Sequence, residues 1–113
     1  MVDAHLIRCL LEDDTMTPCK RIEIVIDQPH ASRLAQRLEE LHAPGYTLIP
    51  RASGSGDRGQ RRGDDPTGTE NNCVFIIACE DDALVQKIVD GLRPLLTRIG
   101  GLCLVSDAML VTH

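Results

Sequence analysis

The sequence predicts an α+β domain of βαββαβ order: a ferredoxin-like sandwich in which a four-stranded antiparallel sheet carries two helices on one face. Three observations lead there. Four short runs read as strands, two longer runs repeat apolar residues at helical spacing, and the six follow one another as strand, helix, strand, strand, helix, strand. At 113 residues the chain is long enough for one core and too short for two. Two helices cover only one side of such a sheet. The other aliphatic side is therefore expected to be buried by self-association, as a trimer or a dimer.

Each element has its own signal. Lys20–Asp27 alternates polar and β-branched residues, a strand with one face inward. Pro29 suits the first position of a helix, with Asp27 or Gln28 at the cap. Ala31, Leu34, Ala35, Leu38 and Leu41 form that helix's apolar stripe, and Ala43-Pro44-Gly45 ends it. Tyr46–Ala52 is the second strand, assigned to a sheet edge or a bulge because Pro50 removes a ladder donor. Asn72–Cys79 is apolar almost throughout, as expected of a central strand buried on both faces.

Glu80, Asp81 and Asp82 supply a cap and dipole-favourable charge to a second helix carrying Ala83, Leu84, Ile88, Leu92, Leu95 and Leu96. Pro94 is expected to bend or split it. Gly100-Gly101 ends it, and Leu102–Val105 with Ala108–Val111 forms the last strand, with an interruption expected at Ser106-Asp107. Residues 1–18 read as an N-terminal extension with a short helix at His5–Leu11, Met16 as a natural start, and 19–113 as the domain proper.

Composition removes several function classes. Aromatic residues are 2% of the chain, too few for the stacking platforms of single-stranded nucleic-acid binders. A net charge of −5 disfavours nonspecific polyanion binding, so no nucleic-acid partner is expected. Five cysteines, at 9, 19, 73, 79 and 103, include no C-x-x-C pair and signal no zinc site. Cys73, Cys79 and Cys103 lie in apolar runs and read as buried thiols of a reducing cytoplasm. Cys9 and Cys19 fall outside the expected core and are the one pair open to redox chemistry. The histidines (His5, His30, His42, His113) are scattered, and no run is long enough to span a bilayer.

The segment with most to say about function is 53–71. It holds five glycines and three arginines (Arg58, Arg61, Arg62) between two strands. A loop this long inside a compact domain is functional or a linker. Exposed glycine backbone interleaved with guanidinium groups suits a phosphate or another small anion. Gly54, Gly56 and Gly59 spell G-x-G-x-x-G, but Gln60 to Pro66 cannot open the helix that a dinucleotide fold requires, and the Lys-Ser/Thr of a phosphate-binding P-loop is missing. The plain alternative is a hairpin loop tolerated at low entropic cost. A second candidate is Arg98 with Gly100 and Gly101, where glycine backbone can approach an anion beside a cation; its plain alternative is a helix C-cap. Arg62-Gly63-Asp64 spells an adhesion tripeptide that reads as coincidence.

With this element order and these two glycine blocks, residues 19–113 resemble PII-like signalling proteins. Gly54 to Arg61 and Gly100 to Ala108 resemble more narrowly the branch linked to inorganic-carbon uptake and carboxysomes. The resemblance implies a homotrimer whose three lateral clefts bind adenine nucleotides, AMP or ADP and in some members ATP or cyclic AMP. It brings in bicarbonate as a second ligand. Residues 53–71 match the family's T-loop, which changes order with ligand and is read by partner proteins. By position, Ser53, Gly54, Arg58 and Gly59 would lie at the loop base beside the nucleotide, and Arg98, Gly100 and Gly101 would face its phosphates. Arg61 and Arg62 would contact anion or partner.

The implied partner is a bicarbonate transporter or a carboxysome component, in the cytoplasm. The loop contains no tyrosine, so uridylylation of the nitrogen-regulatory type has no acceptor there. The chain stops at His113, before the cysteine-bearing C-terminal redox loop of some relatives. The expected role is thus non-enzymatic sensing, without metal or cofactor. The alternatives are a small metal-dependent nucleotide hydrolase using Asp64, Asp65 or Glu70, and a trimeric metal-tolerance protein, against which the dispersed Cys and His residues argue.

Overall fold

The computed structural model describes residues 15–56, 59–61 and 71–113. In chain order these form β1 (Met16–Asp27), a 3-10 turn (Gln28–His30), α1 (Ala31–Glu40) and β2 (Thr47–Ala52). A small ribbon of β3 (Gly54–Gly56) and β4 (Gly59–Arg61) follows, then β5 (Asn72–Cys79), α2 (Asp82–Ile99) and β6 (Leu102–Val111). β2, β5, β1 and β6 make one antiparallel sheet in that order, with both helices on one side, as the sequence predicted.

The core forms where the period-2 rows of the strands meet the helical stripes. Ile22, Ile24 and Ile26 of β1 and Cys73, Phe75, Ile77 and Cys79 of β5 pack against Leu34 and Leu38 of α1. Val85, Ile88, Leu92, Leu95 and Ile99 of α2 complete it. Each of the large side chains stabilises the fold by about 1.5–3 kcal/mol on full burial. The helices approach closely at Gly91, where a Cβ would fall 2.4 Å from the Leu41 side chain.

Several details correct the sequence reading. β5 is buried on one face only: its burial alternates, leaving Val74 and Ile76 partly covered and Ala78 exposed. By register, Val74 pairs with Val25 and Ile49, and Val25 with Leu102, so these residues share the face away from the helices. On that face Ile49, Leu102 and Leu104 keep about half their surface exposed. The apolar run of β5 therefore signals an open aliphatic face.

β1 begins at Met16, so residues 16–18, read as the end of the extension, belong to the sheet. There Pro18 costs no ladder bond. Thr112 donates to Thr15 O, which sets the alternation so that position 18 turns its nitrogen away from β6, beyond the end of β5 at Lys20↔Cys79. Cys19, expected outside the core, is buried in this strand, while Cys9 lies outside the described residues.

β6 runs unbroken through Ser106-Asp107, because Asp107 lies opposite Lys20 and accepts a charge-assisted hydrogen bond from its Nζ. α2 likewise continues through Pro94 as one helix, started by Asp81 Oδ1 accepting from Ala83 N (2.9 Å) and Leu84 N (3.3 Å). α1 ends in a Schellman arrangement with His42 at φ 60: Ala43 N donates to Leu38 O and His42 N to Glu39 O. The expectation for Pro50 holds, since β2 is an edge strand with a register shift between Ile49 and Ala52.

Candidate functional site

The two glycine-bearing segments come to the same end of the sheet. β2 passes into the ribbon where Ala52 pairs with Asn72, and Asn72 pairs in turn with Asp27 at the end of β1. β6 starts at Leu102, opposite Val25 of that same β1 end. The ribbon thus leaves over β2 and β5, and the diglycine corner lies over β1 and β6. Three strand spacings, about 14 Å, separate the outer two strands.

The diglycine corner is tightly built. Gly100 caps α2 at φ 76 and donates its N–H to Leu96 O at 2.8 Å. Gly101 follows at φ 125, and a Cβ there would lie 2.7 Å from Val25 O and 2.8 Å from Ile26 Cγ2. Only glycine fits. Arg98 is exposed in the last turn of α2, on the rim of this corner. The sequence reading gave both glycine N–H groups to an anion. The geometry gives that of Gly100 to the helix cap instead.

The hairpin side is differently made. Ser53 is exposed between β2 and β3. Gly54, Ser55 and Gly56 pair with Arg61, Gln60 and Gly59, so part of the segment read as a loop is a β-ribbon. Arg58 and Arg62 lie outside the described residues, as do Asp64, Asp65 and Glu70 of the hydrolase alternative. At Gly54 an added Cβ would meet Asn72 Nδ2 at 3.4 Å, an ordinary contact.

Sequence reasoning missed three residues at the hairpin base. Gln28, just past β1, accepts a hydrogen bond from Arg51 N at its Oε1 (3.1 Å) and donates its own N–H to Asn71 O (2.8 Å). It therefore holds the outgoing and the returning legs of the segment together. Arg51 sits at φ 59, a conformation costing a non-glycine residue about 1–2 kcal/mol. Each hydrogen bond through Gln28 returns about 0.5–1.5 kcal/mol, so strain and clamp nearly balance. Proximity to the bulge at Pro50 was the available signal; the pairing itself has none.

A thiol lies beside each corner, Cys73 buried and Cys103 half-buried. Burial, with Asp27 adding, pushes the Cys73 thiol up to about 11. Burial also raises Cys103, against the opposing charge of Arg93. Cys103 lines a groove of about 460 Å3 between α2 and β6, with Arg93, Thr97 and Val105, and a second cavity of about 430 Å3 lies beside Tyr46 and Glu39. No predicted site residue lines either. Among the described residues no group of three His, Cys, Asp or Glu side chains is placed to hold a metal ion, and no helix is long and apolar enough to cross a membrane.

Residues 19–112 match the family described as nitrogen regulatory protein P-II. Among solved structures, the chain is similar to CPII, a nitrogen regulatory PII-like protein from Thiomonas intermedia K12 bound to ADP, AMP and bicarbonate. The identity is 25% and the TM-score 0.73, over 86% of this chain and 92% of that one. A protein from Thermus thermophilus described as a PII-like signalling protein shares the fold at 19% identity and TM-score 0.71, over 86% and 93% of the two chains. CutA1 from Oryza sativa shares it more distantly, at 13% identity and TM-score 0.56, over 87% and 84%. No curated protein matches the chain. The sheet order, the two helices and the match over residues 19–112 together make this chain a member of the P-II family.

Proposed function

We propose that this P-II family member is a non-enzymatic regulator that binds AMP or ADP, with bicarbonate as a second ligand, and relays their presence through residues 53–71. One observation carries the reading: the hairpin base and the diglycine corner stand at one end of the sheet, both built on the last residues of β1. The similarity to CPII bound to ADP, AMP and bicarbonate supports the ligand class. Ser53, Gly54 and Gly59 border the nucleotide from the hairpin side, with Arg58, Arg61 and Arg62 supplying charge. Arg98 and Gly101 meet the phosphates from the corner, over the cap made by Gly100. Charge-assisted hydrogen bonds of this kind are worth about 1.5–3 kcal/mol each.

The assembly is a homotrimer in which the open face of Ile49, Val74, Leu102 and Leu104 is covered and the corner of one protomer meets the hairpin of the next. Ligand binding orders the hairpin, and the ordered form is read by a partner governing inorganic-carbon uptake, a bicarbonate transporter or a carboxysome component. The domain doing this is 19–113 with β1 extended back to Met16. Calorimetry with AMP, ADP, ATP and cyclic AMP, with and without bicarbonate, tests the proposal. Saturable heat with at least one of them is expected; no heat with any removes it. Sedimentation equilibrium should give three chains per particle.

A further inference from the structure

We infer that Gln28 is the positioning residue that ties the hairpin base to the diglycine corner inside one protomer, through the four-residue exit of β1, Val25 to Gln28. The inference rests on the nucleotide reading above only for its consequence in binding; the linkage itself stands on geometry. At one end of this exit, Gly101 is pressed against Val25 O and Ile26 Cγ2, closer than any side chain allows. At the other, Gln28 holds Arg51 N through its side chain and Asn71 O through its backbone. A shift of the corner must move the Val25 carbonyl, and past the ladder pairs Ile26↔Cys73 and Asp27↔Asn72 the next contacts along the chain are the clamp on both hairpin legs.

The clamp is poised. Arg51 is kept at φ 59 although it has a Cβ, and its strain is close in size to the hydrogen bond that retains it. Without the Gln28 acceptor, residue 51 gains by returning to extended backbone, and the outgoing leg changes direction. An element with two near-equal states is what allows one site to bias another.

Amide hydrogen exchange on the full chain tests this, with Gln28→Met (same reach, no acceptor) and Gln28→Glu (acceptor kept). In Gln28→Met the Arg51 amide should exchange about fivefold faster and the Leu102 amide, opposite Val25, about twofold faster. The Phe75 amide in the core should keep its protection, which shows the fold intact. Gln28→Glu should restore both amides. An Arg51 amide indifferent to the loss of the acceptor, equal rates in both variants, or a Leu102 amide that does not respond overturns the linkage. Calorimetry with ADP then reads the consequence: binding about fivefold weaker in Gln28→Met and near wild type in Gln28→Glu. Unchanged affinity in Gln28→Met overturns the positioning role. A wild-type chain that takes up no adenine nucleotide removes the nucleotide reading, and the exchange rates still decide the clamp.

Discussion

The diglycine corner and the hairpin base stand on the same stretch of β1 yet are built on opposite terms. At the corner the backbone conformation and the space both demand glycine: Gly101 has φ 125 and a carbonyl 2.7 Å from where a Cβ would be. At the hairpin base a glycine, Gly54, sits where a side chain would fit, and an arginine, Arg51, sits where glycine would be more at ease. One half of the candidate site is a fixed floor. The other is held in place by a side-chain clamp of about its own strain energy, which suits the segment proposed to change with ligand.

The sharpest way to break this contrast is Gly101→Ala. It should destabilise the protein by about 3 kcal/mol in urea unfolding at fixed chain concentration, through forbidden φ and contact with Val25 O. A loss below about 1 kcal/mol would mean that the corner yields as easily as the hairpin.

Next in size is Arg98→Ala. This exposed residue should leave stability unchanged within about 0.5 kcal/mol while weakening ADP binding about tenfold or more in calorimetry. Arg51→Gly should raise unfolding stability by about 1 kcal/mol by relieving the positive φ, the opposite sign from the corner substitution. Gly54→Ala should be neutral or up to about 1 kcal/mol stabilising, since the Cβ meets only Asn72 Nδ2 at an ordinary distance.

Thiol titration gives the subtlest difference. Cys73 is a protonated, buried thiol whose folded value lies about 11, above the ordinary value of 9.0. Its contribution to stability is whole below the ordinary value, where both states keep the proton. It is lost as pH rises towards 11, because the unfolded chain ionises first. Unfolding midpoints should therefore fall between about pH 9 and 11, less so in Cys73→Ala. In alkylation profiles Cys103, where Arg93 opposes burial, should react at lower pH than Cys73.

The order of the six main elements was legible because it depends on local periodicity, and Leu34, Leu38, Ile88, Leu92 and Leu95 could be placed in the core from spacing alone. Most of the misreadings share a cause: they turn on a residue far away in sequence, whereas nothing in the structure explains why α2 runs on through Pro94. Ser106-Asp107 reads as a break until Lys20 is placed opposite it, and residues 16–18 read as the end of an extension until β6 is placed beside them. An apolar run like β5 is the same whether helices or other chains cover its second face.

In the site, Gly100 and Gly101 were legible as a helix end followed by a strand, although the demand on Gly101 arises from Val25, 76 positions earlier (101 − 25). The Gln28 clamp was legible only as a bulge expected at Pro50, not as a pairing. A hydrogen bond from Arg51 to Gln28 leaves no repeat or motif in the chain, and a bulge in β2 is needed to bring the two together.

The central claim is that both corners together hold one adenine nucleotide. Backbone amide shifts followed during titration with ADP test it most directly. The account predicts that Gly54 to Gly56 and Gly101 to Leu102 shift together, along one saturation curve, in particles of three chains. Saturable shifts confined to one of the two corners, or none at either, would contradict it.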